Sequence, residues 1–288
     1  MAPGSEATTE VIAVEVPGGD LAVEHVISRT EPVLAIHGIS SQRKLWNWLR
    51  AQRPGLSLIA PDLRGRGDSV GVTGRSSVAR HAADLIAVLD HLGLDAVPVC
   101  GMSMGGFVAV ELATAYPDRV KSLVLVDGGL PMATPPGLTP EAVPAIFRDR
   151  LARLGRDWPT VGDYAQFFVA NTAPLLDPAD PLLLDYLAHD LQGHRVRLSA
   201  DALGEDATDI FFGPSAWEQI QQPVRLLTAE WSTGRDTAPA YPPEAIEHFH
   251  HGLKTLVTVE TVPGVDHAAS IMSSAGARAT AGLLSEVL

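Results

Sequence analysis

The sequence predicts an α/β fold, a mostly parallel sheet flanked by helices on both faces. Three observations point to it. Strand-like and helix-like segments alternate through the first 130 residues and again from residue 222 to the end, the rhythm of parallel strands joined by crossover helices. The strand-like runs are short and mostly apolar, as strands covered on both faces must be. Between the two alternating stretches, residues 131–221 carry helical patterns broken by prolines and no convincing buried strand.

The elements follow in order. EVIAVEVPGGDLAVEHV reads as two strands around a Pro-Gly-Gly-Asp turn, a hairpin. PVLAIHG (32–38) is a short buried strand ending in glycine, and LSLIAPDL (56–63) is another, punctuated by Pro61. SSVARHAADLIAVLDHLGL places Val78, Ala82, Leu85, Ile86, Leu89 and Leu92 at helical spacing, with Gly93 as a stop. AVPVCG is a strand, MGGFVAVELATAYP a helix closed by Pro117, and VKSLVLVDGG the sixth strand. Beyond residue 221, PVRLLTAE and TLVTVETVPG are strands on either side of the helix PPEAIEHFHHGL. AASIMSSAGARATAGLLSEVL reads as one C-terminal helix. The block at 131–221 is too long for a connection. It is read as a helical lid after the sixth strand, which leaves residues 1–130 and 222–288 as the core.

Composition narrows the function. Apolar residues make up 46% of the 288 and charged residues 19%, a globular balance. The net charge of −13 repels phosphate backbones and anionic lipid, so neither nucleic acid nor a membrane is an expected partner. The one cysteine, Cys100, excludes an internal disulfide and fits a reducing cytoplasm. The opening MAPGSEATTE shows no basic and apolar pattern of a signal peptide, and no apolar run approaches the roughly 18 residues of a membrane helix.

GMSMG at 101–105 matches G-x-S-x-G between a strand and a helix, the context in which that pattern exposes a nucleophile. The flanking glycines allow a sharp turn, and the N–H of Met104 lies at a helix start where it can donate to an oxyanion. A Gly-Ser-Gly turn without chemistry is the competing reading; a dinucleotide-binding loop fits poorly, since no G-x-G-x-x-G is present. A serine needs a base, and the base an orienting acid. His267 in PGVDHAAS follows the last strand, at the sheet edge where Ser103 also sits. His37 in AIHGIS ends another strand there and reads as structural, while Gly38 lets the N–H of Ile39 serve as a second oxyanion donor. His248, His250 and His251 lack a carboxylate or cysteine at ligand spacing and read as a polar helix end, not a metal site.

The ordered set HGIS, DLRGRGDS, GMSMGG, LVLVDGG and GVDHA resembles the α/β-hydrolase superfamily over most of the chain outside the lid. The resemblance implies an eight-stranded sheet, a nucleophile at Ser103, a base at His267 and an oxyanion hole from the backbone of Ile39 and Met104. It leaves two positions for the acid: Asp127, at the end of the sixth strand, and Asp236, in the loop after the following one. Asp127 is preferred for its rigid place one strand from the serine. The RGD tripeptide is read as a chance match to an adhesion motif. His194, Arg195 and Arg197 in QGHRVRL are read as a solvated lid helix over a carboxylate site.

These residues predict a serine hydrolase acting on an ester or lactone of a hydrophobic small molecule through an acyl-enzyme, with no metal or organic cofactor. Lid aromatics, Trp217 and Phe211 among them, are candidates for the substrate wall, and a lid patch leaves a homodimer open. The alternatives are a carbon–carbon bond hydrolase of the same superfamily, a non-catalytic member that binds a small ligand, and a structural interaction module.

Overall fold

The computed structural model describes residues 7–134 and 136–288. Its main sheet has eight strands: β1 (Thr8–Val16), β2 (Gly19–Ile27), β3 (Val33–Ile36), β4 (Leu58–Pro61), β5 (Val97–Met102), β6 (Val120–Val126), β9 (Val224–Trp231) and β10 (Leu256–Asp266). Between β6 and β9 lies a two-stranded ribbon, β7 (Leu191–Gln192) and β8 (Arg195–Val196). The strand order in the main sheet is β1-β2-β4-β3-β5-β6-β9-β10. Pairing is antiparallel at β1–β2 and β2–β4 and parallel from β4 onward. The hairpin predicted at the N-terminus forms, and Gly18 takes the positive φ of 103° that its two-residue turn needs.

The central strands are buried on both faces, and alternation along them divides the core in two. Leu34 and Ile36 of β3, with Leu123 and Leu125 of β6, point into one layer; Val33 and Ala35, with Val124 and Val126, point into the other. The first layer is covered by α2 (Val78–His91) and α3 (Met104–Ala115), and by α9 (Pro243–Gly252) through Phe249. The second is covered by α1 (Asn47–Gln52) and by α10 (Ala269–Met272) and α11 (Ser274–Ser285). Cys100 on β5 lies wholly inside this second layer, and burial raises its thiol pKa.

The segment after β6 holds α4 (Val143–Ile146), α5 (Arg148–Ala152), α6 (Val161–Asn171), α7 (Pro181–Asp190) and α8 (Ala200–Phe212). It joins both layers: Leu203 and Ala207 of α8 extend the first, and Tyr164, Phe168 and Tyr186 of α6 and α7 extend the second.

Two readings are corrected, and one element is new. The C-terminal helix is two helices, because Ser273 leaves helical geometry and its hydroxyl accepts the Gly276 N–H as a cap. QGHRVRL is the β7–β8 ribbon, not a helix, and its arginines bind carboxylates of the chain itself: Arg195 pairs with Asp157, and Arg197 with Asp68. Helix α1, which carries the buried Trp48 and Leu49, was not anticipated. No helix among the described residues is long and apolar enough to cross a membrane.

Candidate active site

Ser103 sits between β5 and α3 at φ 54° and ψ −121°, a region a side-chain-bearing residue rarely adopts. The glycines around it serve close approach, since neither Gly101 nor Gly105 takes a positive φ. A Cβ on Gly101 would lie 2.2 Å from the Gly105 carbonyl oxygen, and one on Gly105 would lie 2.0 Å from that of Ile36. A Cβ on Gly128, just past β6, would lie 2.3 Å from the Ser103 carbonyl oxygen. GMSMGG and VDGG are therefore two halves of one close crossing, which lifts the serine above the carboxyl ends of the strands.

Asp127 ends β6 with φ 46°. One carboxylate oxygen accepts the Ala229 N–H at 3.0 Å, which ties it to the neighbouring β9. The other lies 2.6 Å from His267 Nδ1, and His267 Nε2 lies 3.0 Å from Ser103 Oγ. Asp127 is buried, whereas the imidazole between it and the serine stays partly open to the cavity. A carboxylate on Nδ1 fixes the tautomer that leaves Nε2 free to accept the serine proton. Asp236 lies elsewhere, exposed in the loop after β9 with φ 62°. That loop is held by Asp266, a residue the sequence reading passed over. Its carboxylate accepts the Gly234 N–H at 2.9 Å and the Ala269 N–H at 2.9 Å, and so braces both sides of His267.

Ile39 and Met104 both line the cavity beside Ser103. Met104 opens α3, so its N–H has no carbonyl one turn earlier in the helix to bond. The Ile39 N–H shares a peptide plane with the Gly38 carbonyl, which accepts a hydrogen bond from His37 Nδ1 at 2.8 Å. His37 Nε2 in turn accepts the Leu63 N–H at 3.0 Å. The imidazole is thus neutral, and burial pushes its pKa down to about 4. His37 is structural, as expected, and it sets the direction in which the Ile39 N–H points.

The cavity has a volume of about 240 Å³. Its floor is the Ser103–His267 edge; Phe147, Phe168, Tyr186 and Phe211 from the helical segment form the opposite wall. Arg150, 5.6 Å from the centre of the Phe147 ring, adds a cation to that wall. Trp217 is not on it. Its indole packs on Phe249 and His248 of α9, 2.4 Å from where a Cβ on Gly252 would stand, and so belongs to the core. Glycine at 252 is the local signal for that contact.

The DLRGRGDS segment is internal except at Asp68, which is exposed. Arg64 pairs with Asp84, Arg66 with Asp206, and Asp62 with Arg43, all buried. With Arg66 at 0% exposure the RGD tripeptide offers no adhesion surface. Asp62, Asp68 and His189 cluster closely enough to hold a cation, but the guanidiniums of Arg43 and Arg197 already neutralise the carboxylates.

The alpha/beta hydrolase family matches residues 33–282. A protein of Bacillus subtilis (strain 168) that carries the name of a 2-succinyl-6-hydroxy-2,4-cyclohexadiene-1-carboxylate synthase is 33% identical over 214 residues, 70% of this chain and 74% of that one. Among solved structures, an E-2-(acetamidomethylene)succinate hydrolase superposes with a TM-score of 0.76 at 20% identity, covering 96% of this chain and 99% of the other. A thermophilic esterase from Thermogutta terrifontis gives 0.67 at 22% identity, covering 98% and 99%. At those identities the likeness speaks for the fold. With the family match spanning most of the sequence, the chain belongs to the alpha/beta hydrolase family.

Proposed function

We propose that this protein is a serine hydrolase that cleaves a carboxylic ester or lactone of a hydrophobic small molecule through an acyl-enzyme. The observation that carries the reading is the chain of contacts Asp127–His267–Ser103 opening into a largely apolar cavity. Ser103 Oγ attacks the carbonyl carbon as His267 Nε2 takes its proton. The carbonyl oxygen becomes an oxyanion facing the N–H groups of Ile39 and Met104, and Asp127 stabilises the imidazolium. His267 then protonates the departing alkoxide, which leaves Ser103 acylated. Water, deprotonated by His267, attacks the acyl carbon and the serine is released. With a lactone the alkoxide stays tethered, and ring opening takes the place of departure.

The helical segment between β6 and β9 acts as a lid over this chemistry. Phe147, Phe168 and Phe211 favour an apolar acyl or alcohol portion by removing it from water, at about 25 cal/mol per Å² of apolar surface. A second reading is cleavage of a carbon–carbon bond by the same serine. The Bacillus subtilis relative supports chemistry other than simple ester hydrolysis, since its name is that of a synthase and not of an esterase.

The test is intact mass after treatment with a fluorophosphonate, with Ser103→Ala alongside. One adduct on the parent and none on the variant is expected; no adduct on folded parent protein would overturn the acyl-enzyme reading. Turnover of simple aryl esters, set against a vinylogous 1,5-diketone, then separates the two readings.

A further inference from the structure

Three consecutive carbonyl oxygens behind the oxyanion loop are each held by a buried side chain. His37 holds that of Gly38, Arg66 Nε donates to that of Ile39 at 3.0 Å, and Arg153 Nη2 donates to that of Ser40 at 2.5 Å. Both arginines are enclosed, Arg66 at 0% and Arg153 at 1% exposure. Each is anchored to an aspartate of the helical segment. Arg66 Nη2 lies 2.6 Å from Asp206 on α8, and Arg153 Nη1 lies 3.4 Å from Asp190 on α7. The second anchor is reinforced: Arg153 Nη1 donates to Tyr164 Oη at 2.9 Å, and that hydroxyl donates to Asp190. The same helices hold the end of the loop, where Tyr186 Oη donates to Ser41 Oγ at 3.0 Å and Gln42 Nε2 donates to the Tyr186 carbonyl at 2.8 Å.

A peptide N–H points opposite to the carbonyl of its own plane. The Ile39 N–H shares its plane with the Gly38 carbonyl, which also accepts the Ser41 N–H at 3.2 Å; Arg153 fixes the plane of that Ser41 N–H through the Ser40 carbonyl, and Arg66 fixes the intervening Ile39–Ser40 plane. The arrangement is costly if it serves only to attach one segment to another, because two guanidiniums and two carboxylates leave water to make it. Its geometric product is a loop braced against rotation of the Ile39 N–H away from Ser103.

We propose that Arg66 and Arg153 are positioning residues for the oxyanion hole, and that Asp206 and Asp190 make the helical segment part of the catalytic frame as well as a wall of the cavity. The proposal rests on the acyl-enzyme reading for its effect on rate, but not for its effect on the loop.

The experiment compares Arg153→Lys with the parent. Lysine keeps a charge beside Asp190 and loses the fork that spans Tyr164 and the Ser40 carbonyl. The expected outcome is a fall in kcat of about 10- to 100-fold, with KM within about threefold, since small misplacement of catalytic groups costs on that order. Affinity for a trifluoromethyl ketone that forms an oxyanion on Ser103 falls in parallel. Amide exchange in residues 38–42 of the intact protein accelerates. A folded variant with unchanged loop exchange, with unchanged kcat, or with a raised KM alone overturns the proposal. If Arg153→Lys does not fold, Asp206→Asn probes the same loop through Arg66 and carries the same expectations. Should the parent form no fluorophosphonate adduct, the acyl-enzyme reading fails, and loop exchange still decides whether the arginines fix the loop.

Discussion

Asp127 and Asp236 both carry a positive φ and both follow a strand at the carboxyl edge of the sheet, yet only Asp127 touches His267. Asp127→Asn is expected to lower kcat about 10⁴-fold by stabilising the wrong histidine tautomer, whereas Asp236→Asn leaves it near the parent value; steady-state rates on an aryl ester check both. Ser103 and His267 were legible because a strand-turn-helix frame surrounds one and a strand end precedes the other. The acid was ambiguous, because the sequence spacing of the two aspartates says nothing about which lies beside the imidazole. His37 adds a pH dependence. Its folded pKa, about 4, lies below the ordinary histidine value, so the unfolded chain binds the extra proton as pH falls from 6.5. The stability from a neutral His37 is complete above that pH and is lost progressively toward pH 4. Between pH 7 and pH 5 the loss is about 2 kcal/mol, from 1.36 kcal/mol per pK unit. Urea midpoints for the parent and for His37→Gln, which cannot titrate, should converge as the pH is lowered.

Among elements, the strands and the long helices followed from apolar periodicity, and the hairpin from its glycines. Helix α1 was missed because a short helix shows too little of its period to stand out from a loop. The break at Ser273 was missed because serine is acceptable inside a helix, and only its bond to Gly276 reveals a cap. Ser273→Ala should cost about 1 kcal/mol in a denaturant titration. The crossing of GMSMGG with VDGG is far less tolerant. Gly105→Ala would drive a methyl into the Ile36 carbonyl, and a loss of about 3 kcal/mol or failure to fold is expected from the same titration.

For the whole molecule, the eight-stranded, mostly parallel sheet was foreseen, but its strand order and the way the segment after β6 is fastened were not. Phe211 reaches the cavity and Trp217 does not, although both are aromatic residues of the same stretch. Aromatic content marks a core or a wall equally well, and the partner elements decide. Fastening depends on charge pairs between distant positions, such as Arg66 with Asp206, which no local pattern betrays. Burial works to raise the pKa of Asp206, but His81 and Arg66 outweigh it and hold the carboxyl well below its ordinary value. Its contribution is therefore present above about pH 4 and lost in stronger acid. Asp206→Ala strands the Arg66 guanidinium and should cost about 3–5 kcal/mol. With two buried arginines joining the helical segment to the sheet, thermal unfolding followed by far-UV and near-UV signals should give one coincident transition.

Cys100, sealed under the sheet with its thiol kept protonated, leaves the surface chemically silent toward maleimides. A cysteine introduced at an exposed position such as Phe212 on α8 becomes the sole accessible thiol of the native chain, with no background to remove. A second at Val257 on β10 completes a dye pair between the helical segment and the sheet edge, so that any opening during turnover can be watched one molecule at a time.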